Sequence, residues 1–86
     1  MKIKNITYAE TNETRTDGRY PIRIGSEVNF AFYEPTVGDV MYLEYVKDNE
    51  GKPKEGVIRT SNICNIEETD NEIVIETRNS IYYFEK

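Results

Sequence analysis

Eighty-six residues make one small domain with one core, burying roughly 60–65% of the extended chain's surface and leaving no material for a separate substrate domain. A net charge of −5 and a pI near 4.7 argue against a nonspecific nucleic-acid binder, which needs an excess of Lys and Arg for phosphates, and fit a solvated acidic surface. The chain has no histidine, the commonest general base and metal ligand, and its one cysteine, Cys64, can form neither an intrachain disulfide nor a thiolate zinc site.

The apolar set is skewed towards sheet-formers. Ten Ile, six Val, seven Tyr and three Phe stand against one Leu and two Ala. β-Branched and aromatic side chains suit a pleated surface, so composition predicts an all-β fold. The turn spacing predicts a five- or six-stranded small barrel, SH3-like, or a compact sandwich over residues 1–86.

In chain order, "MKIKNITYAE" alternates and predicts a strand over residues 2–10. "TNETRTDGRY" is polar and holds Asp17-Gly18, a favoured hairpin pair, so residues 11–20 are expected as a protruding hairpin or mobile loop. Pro21 fits an edge strand or strand start. Strand patterns follow at Ile22 and Ile24, then at Val28, Phe30 and Phe32, with a bulge or bend at Gly25. Gly38-Asp39 predicts a turn and residues 40–46 a strand. "KDNEGKPKEG" predicts another turn region. Two last strands, residues 57–67 and 73–84, flank the polar connection "ETDN". No helix-period apolar stripe of useful length occurs, and no apolar run approaches the ~20 residues of a membrane span. The N-terminus lacks the apolar core of a secretion signal, so a soluble cytoplasmic protein is expected.

Catalytic and metal signatures are missing: there is no GxGxxG, P-loop or GxSxG pattern. Cys64, among Ile63 and Ile66, is expected as a buried or half-buried small hydrophobe. Glu67, Glu68, Asp70 and Glu72 could offer oxygens to Ca²⁺, but their spacing matches no EF-hand loop, and a solvated turn explains them. The expectation is a non-enzyme with no cofactor and no metal.

Two polar blocks interrupt the last two strand patterns: Arg59, Thr60, Ser61 and Asn62 in the first, Thr77, Arg78, Asn79 and Ser80 in the second. An antiparallel pairing with Ile66 opposite Ile73 and Cys64 opposite Ile75 sets Asn62 against Thr77 and Thr60 against Asn79. The blocks then form either sheet decoration at a solvent-exposed end or a small polar pocket. In the pocket, Thr, Ser and Asn supply neutral donors and acceptors, and Arg59 and Arg78 supply forked anion contacts. The candidate ligand-binding set is Arg59, Thr60, Ser61, Asn62, Thr77, Arg78, Asn79 and Tyr82. Three further arginines, Arg15, Arg19 and Arg23, group around Asp17-Gly18, and the tyrosines add stacking surfaces with a polar handle. Such a set suits a nucleotide: guanidinium for phosphate, a ring for the base, amides and hydroxyls for the rest.

The segment "RTSNICNIEETDNEIVIETRNSIYYFE" resembles the C-terminal hairpin of small β-rich proteins of Gram-positive bacteria and their phages, which read T-S-x-[IV]-x-x-I and then T-x-N-S-x-Y. The matching residues are Thr60, Ser61, Ile63, Ile66, Thr77, Asn79, Ser80 and Tyr82. The resemblance implies a class that includes counter-defence factors, some binding a host protein and some sequestering nucleotide immune signals. The expected function is non-catalytic sequestration of an anionic nucleotide-type signal, with a homo-oligomer to deepen the pocket. The alternatives are an acidic inhibitor that binds a host defence protein or a nucleic-acid-binding groove, and a phage structural or assembly protein. Neither direct nucleic-acid binding nor membrane binding is expected.

Overall fold

Runs rich in Ile, Val, Tyr and Phe become strands, and the polar Gly- and Pro-bearing stretches between them become turns. The computed structural model describes residues 1–86 throughout. Its elements are β1 (Lys2–Tyr8), α1 (Tyr20–Arg23), β2 (Glu27–Phe30), β3 (Val40–Lys47), β4 (Val57–Glu68), β5 (Glu72–Thr77) and β6 (Ser80–Glu85). The protein is all-β. Each strand pairs antiparallel with the next, and β6 returns to β1, so one sheet closes into a ring. The radius of gyration, 11.8 Å, matches the roughly 12 Å of a compact chain of this length. No helix is long and apolar enough to cross a membrane.

The ring encloses the core. Ile3, Ile6, Val28, Met41, Leu43, Ile58, Ile63, Ile73, Ile75, Tyr82 and Phe84 pack as one buried cluster. Phe84 meets Phe30 edge-on at 5.8 Å and stacks with Tyr82 at 6.1 Å.

β4 sets the position of both polar blocks. Its first half pairs with β3 (Leu43 opposite Ile58, Tyr42 opposite Arg59), and its second half pairs with β5 (Ile63 opposite Thr77, Ile66 opposite Ile75). A bulge interrupts each half: one between Arg59 and Asn62, the other at Cys64. Each extra residue reverses which side chains face inward. Ile58 and Thr60 point in, then Ile63, then Ile66, while one edge of the strand serves β3 along its first half and the other serves β5 along its second.

Several expectations are corrected here. Opposite Ile73 stands Glu68, not Ile66, and Cys64 occupies the bulge instead of facing Ile75. Cys64 is therefore exposed rather than buried. The expected strand over residues 73–84 breaks at Arg78-Asn79, where the chain reverses from β5 into β6. The expected strand at Ile22 and Ile24 is instead the end of the short helix α1 and the turn after it. Pro21 opens that helix, where its missing N–H costs nothing, rather than a strand. Gly25, at φ +94°, then turns the chain into β2.

Residues 9–19 fold back onto β1 instead of closing a hairpin at Asp17-Gly18. Thr14 bridges Thr7, and the Arg15 amide donates to the Ile6 carbonyl at 2.9 Å. β1 and β2 share only one register pair, Lys2 with Glu27, so this returning segment covers the part of the β1 edge that β2 leaves open.

Candidate functional site

The two polar blocks meet, but mainly through backbone. The Arg78 amide donates to the Asn62 carbonyl at 3.0 Å, and Asn62 Nδ2 donates to the Gly38 carbonyl at 2.6 Å. Asn62 thus ties the β5–β6 turn to the β2–β3 loop. Thr60 Oγ1 accepts the Met41 amide at 3.1 Å and donates to the Ser61 carbonyl at 2.9 Å, filling a ladder gap left by the bulge. Thr77 Oγ1 accepts the Ser80 amide at 3.1 Å and donates to the Ser80 carbonyl at 3.0 Å, closing the turn from beneath. Buried backbone groups must find partners, and these two hydroxyls supply them.

The candidate residues therefore separate. Thr60 and Thr77 are buried and fully engaged. Tyr82 is 2% exposed within the core, and burial pushes its phenol up to about 12. Ser61 is half-buried beside the bulge. Arg59 is exposed on the outer face opposite Tyr42, away from Arg78 and Asn79. Arg78 and Asn79 are the two that line a cavity.

That cavity is a cleft of about 480 Å³ between the β1–α1 segment and the β5–β6 turn. Its walls are Tyr8, Ala9, Glu10, Thr11, Glu13, Arg15, Tyr20, Arg78 and Asn79. The volume lies within the few-hundred to ~1,000 Å³ range of small-molecule sites. Arg15 organises the floor. Its guanidinium lies 3.8 Å from the Tyr20 ring centroid and 4.8 Å from that of Tyr8. It grips Asp17 through two bonds of 3.0 and 2.7 Å, and donates to Ser80 Oγ at 2.7 Å and the Asn79 carbonyl at 3.2 Å. This bidentate contact first, aided by Asp17's own backbone amide, holds the Asp17 carboxyl at about 2. The same contact raises the Arg15 guanidinium further.

Arg15 is thus spent on structure, whereas Arg78 is exposed and makes no ion pair. Glu10 and Glu13 give the same cleft carboxylate acceptors. The sequence signal for Tyr8 and Tyr20 was their place at either end of the polar stretch 9–19, whose return onto β1 brings the two rings to one guanidinium.

The acidic residues near the β4–β5 turn do not converge: Glu68 takes the Lys86 ammonium at 2.6 Å, Glu72 takes that of Lys4 at 3.2 Å, and no three His, Cys, Asp or Glu side chains gather into a metal-binding group. Comparison with known proteins finds no matching family model, no matching curated protein and no matching solved structure.

Proposed function

We propose that the protein is a non-catalytic binding module that sequesters a small nucleotide-type anion in the Tyr8–Tyr20–Arg78 cleft. The observation that carries this is the unpaired Arg78 guanidinium on the wall of a cleft that also holds two tyrosine rings and two carboxylates. A guanidinium takes a phosphate in forked geometry. A tyrosine ring offers a face or edge to a base. Carboxylates accept hydrogen bonds from ribose hydroxyls or an exocyclic amine. One free arginine beside Glu10 and Glu13 favours a ligand of low negative charge over a polyphosphate, because repulsion from the two carboxylates grows with each added phosphate. In the setting that the C-terminal resemblance implies, such a module withholds a nucleotide signal from its receptor.

Isothermal titration calorimetry with cyclic and ADP-ribose-derived nucleotides tests the proposal. Saturable one-site binding that disappears in Arg78→Glu and survives in Arg59→Glu is expected. No heat from any nucleotide, with a folded protein, would overturn it.

A further inference from the structure

A second surface stands apart from the cleft. In the loop between β2 and β3, Phe32 is 78% exposed, Val37 58% and Tyr33 43%. Tyr42 of β3 backs them: its ring meets Phe32 edge-on at 5.1 Å and Tyr33 edge-on at 5.9 Å. Across the strand pair, exposed Arg59 stands opposite Tyr42. Aromatic residues and arginine are the types that dominate interface hot spots, and small soluble proteins seldom leave such side chains grouped in water.

The backbone shows that this display is imposed. Phe32 sits at φ +67°, and the Tyr33 amide donates to the Ala31 carbonyl at 2.8 Å, a three-residue γ-turn centred on Phe32. A left-handed φ is unfavourable for a bulky residue, and the ring it carries is not being buried in the core. The loop is pinned on both sides, so the ring is held rather than loose. The Ala31 amide donates to the Tyr42 carbonyl at 3.0 Å, the Tyr33 hydroxyl donates to the Val40 carbonyl at 2.7 Å, and Asn62 Nδ2 holds Gly38. A rigid, exposed aromatic loses little side-chain freedom on binding.

We propose that the Phe32 γ-turn is the anchor of a protein–protein interface whose partner is a different protein with a ring-sized apolar pocket and a basic rim. Charge selects this partner over a second copy. Residues 31–39 carry Glu34 and Asp39 and no Lys or Arg, on a chain of net charge −5. A two-fold contact between copies would bring the same acidic loop against itself. A basic rim complements it and steers encounter, while Arg59 at the edge reaches an acceptor on the partner.

The test installs a photo-cross-linking benzoyl-phenylalanine at position 32, and at Ile22 on α1 as an exposed control. Irradiation is carried out in lysate of the cells in which the protein acts. The expected result is an adduct with one basic protein from position 32 and none from position 22. With that partner purified, Phe32→Ala should raise Kd by roughly tenfold or more. Raising salt from about 50 to about 500 mM should weaken binding as well. Phe32→Gly, which relaxes the turn while removing the ring, should lose binding to the same extent and stay folded, which separates loss of the anchor from loss of the fold. An adduct with a second copy, an acidic partner, no adduct, or a Kd indifferent to Phe32→Ala would each overturn the proposal. Nucleotide binding in the cleft is unaffected by any of these outcomes.

Discussion

The Arg78 amide donates a 3.0 Å hydrogen bond to the Asn62 carbonyl, and through it the two polar blocks of the sequence share one end of the sheet. Their side chains then part company. Arg78 faces the cleft, whereas Asn62 reaches the other way to Gly38. Arg78→Glu should therefore abolish nucleotide binding while leaving the unfolding midpoint close to that of the unmodified protein, because the bond at Asn62 uses backbone alone. Calorimetry and urea unfolding on the same sample check both halves. A large loss of stability would mean that the Arg78 side chain is structural.

Thr77 is the counterpart with the opposite balance. Its hydroxyl is the partner of the buried Ser80 amide, so Thr77→Val keeps shape and removes that acceptor. Leaving a buried donor unmade costs about 1–3 kcal/mol. Urea unfolding should show a loss in that range. Thr77→Ser, which retains the hydroxyl, should recover most of it; equal losses in both variants would point to packing instead.

Ser26 makes the converse case. Its Oγ is fully buried and has no hydrogen-bond partner. Ser26→Ala removes an unsatisfied polar atom with little change in volume. A gain of about 1 kcal/mol is expected, read as a higher unfolding midpoint at an unchanged denaturant slope. A clear loss would show that the hydroxyl has a partner in solution.

The fold class was legible because Ile, Val, Tyr and Phe dominate the apolar set, and the turns at Gly38-Asp39 and around Gly51 sit where Gly and Asp demand them. Register was not. Alternation assumes a regular ladder, and the two bulges in β4 each shift it by one residue, which is how Cys64 came to lie outside. The site was half legible for a related reason. Thr, Asn and Ser serve bulges and turns as readily as ligands, and their type alone does not say which. The alternation set Asn62 against Thr77, whereas Ile63 stands there and the Arg78 amide meets the Asn62 carbonyl. The rings of Tyr8 and Tyr20 come from a polar stretch whose return onto β1 is a tertiary event.

Asp17 offers a pH handle on that stretch. Its folded pKa of about 2 lies below its ordinary 3.8 because Arg15 holds the carboxylate. A lowered folded pKa means that the ion pair's contribution is complete above about pH 4 and is lost as pH falls towards 2. Carboxyl NMR should show Asp17 titrating near 2 in the unmodified protein and near its ordinary value in Arg15→Lys, since an ammonium cannot reproduce the fork. Amide exchange across residues 9–19 should quicken in the same variant. An ordinary Asp17 titration in the unmodified protein would remove Arg15 as the organiser of the cleft.

The strain at Phe32 can be measured apart from any partner. A left-handed φ costs an ordinary residue about 1–2 kcal/mol and costs glycine almost none. Phe32→Ala keeps that cost and loses the edge-on contact with Tyr42, worth about 0.5–1.5 kcal/mol beyond its area. Phe32→Gly loses the same contact but relieves the strain, partly offset by the freedom glycine gains in the unfolded chain. Gly should therefore exceed Ala by about 1 kcal/mol, or roughly 4–8 °C in Tm for a domain of this size, and should lie close to the unmodified protein. Differential scanning calorimetry of the three proteins decides the order. If Ala and Gly melt together, the turn relaxes at no cost when the ring is gone, and the protein is not holding Phe32 in place against a local preference.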